Sequence, residues 1–247
     1  MRVTILQPTY WARTHVWNRI FSSDIFIWLD SVKFSRSATK WEDRTIVEAT
    51  DGRQIVLRLP LRGSRLALWS EVGLNDDWRK HLVTITQCYS KRPHWRAISS
   101  MIESVYSEDA NTIDAVCWRT LQAARGILRP ECYFIRSSSL PVDSVKGDLV
   151  LELVQAVGGT SYLTGAPGLA YLPVDRFAER GIEVVVQAWQ APTTQHGLVN
   201  PSIIDLLANV GPELAREVLS RPPFCADDQG VGPLGGGAVD TSRPECA

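Results

Sequence analysis

The chain has 247 residues, 45% of them hydrophobic and 21% charged, with a formal net charge of −1. This balance excludes the low-hydrophobicity regime of disordered chains. Near-neutrality also leaves no extended positive field to gather the phosphates of DNA or RNA, so nucleic acid is not expected as a partner. The length suits one large core and predicts a single α/β domain over residues 1–221, with a helical segment at about 76–126 and a disordered tail at 222–247.

Val3 to Leu6 is a short β-rich apolar run that Gln7-Pro8 stops, too short for the apolar region of an export signal. Arg13 to Phe21 is helix-compatible, and Asp24 to Leu29 is a second apolar run ended by Asp30. Strand, helical crossover and strand make a βαβ unit, whose parallel strands deliver Gln7 to Trp11 and Asp30 to one edge of the sheet. Arg44–Ala49 and Gln54–Leu61 are joined by Thr50-Asp51-Gly52-Arg53, a hairpin signal. From Asp76 the period becomes helical, with Trp78, Leu82, Ile85 and Tyr89 on one stripe and Asp76 or Asp77 placed to cap. Helices are predicted at about 76–90, 94–106 and 111–126.

The α/β pattern then returns. Strands are predicted at Cys132–Arg136, Ser161–Leu163 and Ile182–Gln187, and helices at Ser144–Val157 and Val174–Arg180. Gly158-Gly159 and Gly181 close the two helices. Ser202–Ala208 and Glu213–Ser220 are the last predicted helices, and the composition beyond Arg221 turns to Pro, Gly and Asp. The fold class is therefore an open, mainly parallel sheet with a β-hairpin and an α-helical middle.

Five cysteines without CxxC spacing point away from a disulfide framework or thiolate zinc site, and toward reduced thiols in a cytoplasm. Four histidines show no metal-ligand spacing, so no metal is expected, and the absence of nucleotide-loop motifs gives no cofactor. No run approaches the roughly 18 apolar residues of a membrane span.

Three clusters carry candidate chemistry. Gln7, Tyr10 and Trp11, with His15 beyond them, follow the first strand, where α/β sheets bind ligands. Asp30 is followed by Lys33, Arg36, Lys40, Trp41 and Arg44, cations suited to an anionic group, although such loops are commonly only solvated. Trp78-Arg-Lys-His81 precedes Cys88 and Tyr89; His81 and Cys88 lie two helical turns apart, roughly 10 Å, too far for a direct dyad. Further on, Gly165 follows a strand and can shape an anion-binding turn, whereas Ser138 and Ser202 can donate hydrogen bonds or merely cap.

The ordered set Thr4-Ile-Leu-Gln-Pro-Thr-Tyr10, Asp24-Ile-Phe-Ile-Trp-Leu-Asp30, Trp78-Arg-Lys-His81 with Tyr89, Ile135-Arg-Ser-Ser-Ser139, Tyr162-Leu-Thr-Gly165, Gly181-Ile-Glu-Val and Pro201-Ser-Ile-Ile-Asp-Leu-Leu207 resembles the WbqC-like family. That family is commonly encoded among bacterial O-antigen, surface-polysaccharide and natural-product biosynthesis genes. The chain departs from it at Ser31, Trp41-Glu-Asp-Arg44 and Gln190-Ala-Pro192, which suggests a specialised paralogue. The resemblance implies group transfer of an acyl or aminoacyl unit to an amine of a sugar or small metabolite, with an acyl or aminoacyl carrier protein as a candidate partner.

Under this reading His81 or Asp30 is the general base. Gln7, Tyr10, Trp11, Lys33, Trp41, Arg44, Tyr89, Ser138, Gly165, Ser202 and Asp205 line the substrate. The alternatives are a non-catalytic binding or scaffold subunit and a nucleotide-dependent enzyme, the latter lacking an HxGH signature at His15-Val-Trp17.

Overall fold

A computed structural model describes residues 1–34, 42–63, 67–144, 146–170 and 172–223. The elements run β1 (Arg2–Leu6), α1 (Thr14–Phe21), β2 (Ile25–Trp28), β3 (Arg44–Glu48), β4 (Gln54–Arg58), β5 (Leu61–Arg62), β6 (Gly73–Leu74), α2 (His81–Tyr89), α3 (Trp95–Ser107) and α4 (Ile113–Leu128). They continue through β7 (Tyr133–Arg136), α5 (Lys146–Ala156), β8 (Ser161–Thr164), α6 (Ala166–Leu169), α7 (Val174–Glu179), β9 (Glu183–Val186) and α8 (Ile203–Leu219).

Five strands form one parallel sheet in the order β7-β2-β1-β8-β9. β2 reads Ile-Phe-Ile-Trp and is buried along its whole length, as a central parallel strand covered on both faces must be. Its alternation divides the core. Val3, Ile5, Ile25 and Ile27 share one cluster with Leu153 of α5 and Phe177 of α7. Phe26 and Trp28 share the other with Trp17 of α1, Leu121 of α4 and Leu207 of α8. Helices thus cover both faces, and the fold is an open α/β sheet of the expected class.

The chain adds strands outward from β1 to β2 to β7, then crosses back to add β8 and β9 on the other side. The loops after β1 and β8 therefore leave neighbouring strands for opposite faces, the arrangement that opens a ligand crevice at the carboxyl edge.

The hairpin forms as expected, with Arg44 opposite Arg58, Glu48 opposite Gln54, and Gly52 at φ +83° in the turn. The second arm is shorter than predicted. Pro60, which has no N–H for a ladder, separates β4 from β5. The predicted helix at 76–90 begins instead as a 3-10 turn over Asp76–Lys80, and its flanking residue Asn75 makes no side-chain cap. The two last helices abut at Gly211, where φ +81° breaks α8 just before Pro212.

Candidate functional site

At the carboxyl end of β2, Asp30 is 6% exposed and its carboxylate is saturated. Oδ1 accepts from Ser137 Oγ and the Ser138 N–H, both at 2.9 Å. Oδ2 accepts from Arg136 Nε and Ser138 Oγ, both at 2.8 Å. Arg136 ends the adjacent strand β7, and its other arm bonds Asp114 of α4, which also accepts from Trp28 Nε1 at 2.8 Å. The guanidinium lies 4.9 Å from the Trp118 ring centroid. Burial would raise the Asp30 pKa, but the Ser138 N–H, Arg136 and the two serine hydroxyls outweigh it and hold the group below its ordinary value.

A second cluster is built by the loop after β1. Tyr10 is fully buried, and its Oη lies 2.9 Å from His81 Nδ1 and 2.5 Å from Tyr106 Oη. Trp11 has φ +44°, an unfavourable backbone for a bulky residue, which persists only where its surroundings over-determine it. Here its Nε1 donates to Tyr106 Oη at 2.9 Å, its N–H to Thr120 Oγ1 at 3.3 Å, and its carbonyl accepts from Thr45 Oγ1 at 3.2 Å. Burial lowers the His81 pKa to about 4, against a hydrogen bond with the Arg58 backbone, so the imidazole is neutral at neutral pH.

Arg44 donates from Nε to Asp43 Oδ1 at 2.7 Å, and Asp43 is 2% exposed. The structure thus gives Arg44 an immediate carboxylate in its own chain neighbour. Tyr89, Ser202 and Asp205 come together in a third, fully buried network. Tyr89 Oη and Ser202 Oγ donate to the Asp205 carboxylate, and Ser202 Oγ accepts from the Asp205 N–H as the cap of α8. Burial pushes the Asp205 pKa up to about 6, against the Ser202 and Tyr89 bonds.

Of the remaining candidates, Gln7 is partly buried at the end of β1, Lys33 is exposed, and Gly165 follows β8 directly. Trp41, Arg36 and Lys40 lie outside the described residues. Cys88 is buried and its thiol pKa is raised, first by burial and then by Asp205, which suits packing more than nucleophilic chemistry.

Arg136 and Ser137 escaped the residue-by-residue reading, although they stand in the run Ile135 to Ser139 beside Ser138. Asp114, Tyr106 and Asp43 carried no signal, because nothing in their local sequence shows which strand end their elements will face.

The pattern of the WbqC-like protein family matches residues 7–217. The chain belongs to this family. In this WbqC-like chain the match starts at Gln7 and ends inside α8, so it embraces all three clusters. Family membership points to a biosynthetic role. No curated protein matches the chain significantly. Among the described residues no group of three His, Cys, Asp or Glu could hold a metal ion, and no helix is long and apolar enough to cross a membrane.

Proposed function

We propose that this protein is a biosynthetic group-transfer enzyme, moving an acyl or aminoacyl unit onto an amine of a sugar or other small metabolite. The observation that carries this reading is the Tyr10–His81 contact at 2.9 Å, which fixes a neutral, partly buried imidazole beside the loop after β1. In transfer from a thioester, the amine nitrogen attacks the carbonyl carbon, the C–N bond forms and the C–S bond breaks. The amine proton passes to His81 and then to the departing sulfur. A nitrogen that has begun to bond carbon is acidic, so even a weak base accepts its proton. The rearrangement required is that the ring nitrogen facing the Arg58 carbonyl turn to the substrate as acceptor, its proton moving to Nδ1, which then donates to Tyr10 Oη while the Tyr10 hydroxyl donates to Tyr106 Oη.

Asp30 serves in this reading as a fixed anion that orients Arg136 and the two serines, because acting as a base would require it to shed its donors. Exposed Lys33, three residues further on, is available to an acyl or aminoacyl carrier protein. The test is amide formation from acetyl-CoA or an aminoacyl thioester across a panel of amino sugars, read by mass spectrometry. His81→Gln keeps an acceptor for Tyr10 but no base, and should lose about 10²- to 10⁴-fold in turnover. Unchanged turnover in His81→Gln would remove His81 from the mechanism.

One observation favours a second reading, a nucleotide-dependent enzyme: the strand order β7-β2-β1-β8-β9 is that of doubly wound nucleotide-binding sheets. Stabilisation by ATP, without amide formation from any thioester, would select it.

A further inference from the structure

Arg19 lies on the last turn of α1, and its side chain runs back toward the start of the helix, the direction helical side chains take. This brings Nη1 within 3.8 Å of the Cβ position at Gly165, immediately after β8. Arg19 also acts electrostatically on His15, one helical turn earlier, and on Tyr162 in β8. Its guanidinium therefore reaches the place where the β1 and β8 loops part.

The residue is only 7% exposed, and its Nε is buried without a hydrogen-bond partner. It makes no hydrogen bond or ion pair with any described residue. No described carboxylate enters the electrostatics of Arg19 or of His15, and burial lowers the pKa of both. A buried guanidinium with unsatisfied donors is costly, and such charges are ordinarily paired. The start of α1 does not explain the arrangement, since the N–H groups of Thr14, His15 and Val16 already bond Pro201 O, Asn200 Oδ1 and Arg13 O.

We propose that the crevice between the β1 and β8 loops binds the oxyanion of a small-molecule substrate, a phosphate or a carboxylate, with Arg19 as its counter-charge and His15 and Gly165 beside it. The guanidinium fork suits either oxyanion. The assignment requires that substrate meet the carboxyl edge but needs neither His81 nor acyl transfer.

Thermal melting of the full chain in sodium phosphate, pyrophosphate, acetate or succinate, against sodium chloride of equal ionic strength, tests it. At least one oxyanion should raise the wild-type melting temperature saturably, by roughly 3–5 °C at ten times its dissociation constant. The effective anion tells phosphate from carboxylate. Arg19→Met should lose this response and melt no lower than wild type in chloride. Arg19→Lys, which keeps the charge but not the fork, should bind at least tenfold more weakly and carries the test if the Met variant does not fold. His81→Gln should keep the anion response while losing turnover, so the two assignments fail separately. No response in wild type, or an undiminished one in both Arg19 variants, overturns the proposal.

Discussion

Asp205 and the two partly buried histidines, His15 and His81, pull stability in opposite directions over the same pH range. Asp205 has a folded pKa near 6, above the ordinary carboxylate value of 3.8, so the folded state favours its protonated form. Its contribution is full below 3.8 and is lost as pH rises through about 6. His15 and His81 have folded values near 4, below the ordinary 6.5. Their contribution is full above 6.5 and is lost as pH falls through about 4. Each group in mid-window changes stability by at most about 1.4 kcal/mol per pH unit. Asp205→Asn removes the opposing member, so its urea midpoint should fall more steeply than wild type between pH 6.5 and 4. A variant with the wild-type pH profile would show that Asp205 does not titrate there.

At this scale little of the site was legible in the sequence. Asp30 and Ser138 were singled out, but not that the serine hydroxyl and N–H both close on the carboxylate. Tyr10 and His81, 71 positions apart, were placed at the sheet edge and on the following helix, yet their contact depends on how the hairpin and α2 fold back. Tyr89 and Asp205 carried polar groups that read as substrate contacts; in the fold those groups satisfy one another.

Elements were more legible, because apolar runs and chain breakers lie close together in sequence. Gln7-Pro8 ends β1, Gly52 turns the hairpin at positive φ, and Gly181, also at positive φ, follows α7. What was missed is short: β5, β6 and α6 have two to four residues each, too few to show a period. Among the breakers at positive φ, Gly211 has the tightest surroundings, since a Cβ there would lie 2.7 Å from His94 Nδ1 at a backbone of φ +81°. Gly211→Ala should therefore cost about 1–3 kcal/mol, lowering the melting temperature by roughly 3–10 °C. Wild-type melting in that variant would mean that α8 straightens without penalty.

For the whole molecule, composition and pattern led to the class of sheet, but not to its strand order, which depends on where the crossover from β7 to β8 returns. The C-terminal boundary also shifts. Residues 222–247 were expected to form a tail, yet the Pro223 carbonyl accepts from the Ala188 N–H at 2.7 Å, and residues 224–247 lie outside those described. Truncation after Pro223 should leave the melting temperature within about 1 °C, since a segment poor in apolar anchors adds little. Truncation after Arg221 removes that bond and should melt lower. Equal loss from both would place a stabilising contact beyond Pro223.

The sheet has two polar edges, and they compete for the role of binding site. The amino edge carries an open hollow of about 540 Å³ lined by Met1, Arg2, Ser22, Asp24, Glu131 and Glu183, among others. Roomy as it is, it lies at the wrong end of the strands for an α/β sheet and is rich in acids. Hydrogen exchange of the full chain, with and without the oxyanion that stabilises it, discriminates between the edges most directly. Binding at the carboxyl edge predicts slowed exchange in residues 7–19 and 163–170, with residues 22–24 and 131 unchanged. Protection confined to the amino edge would contradict it.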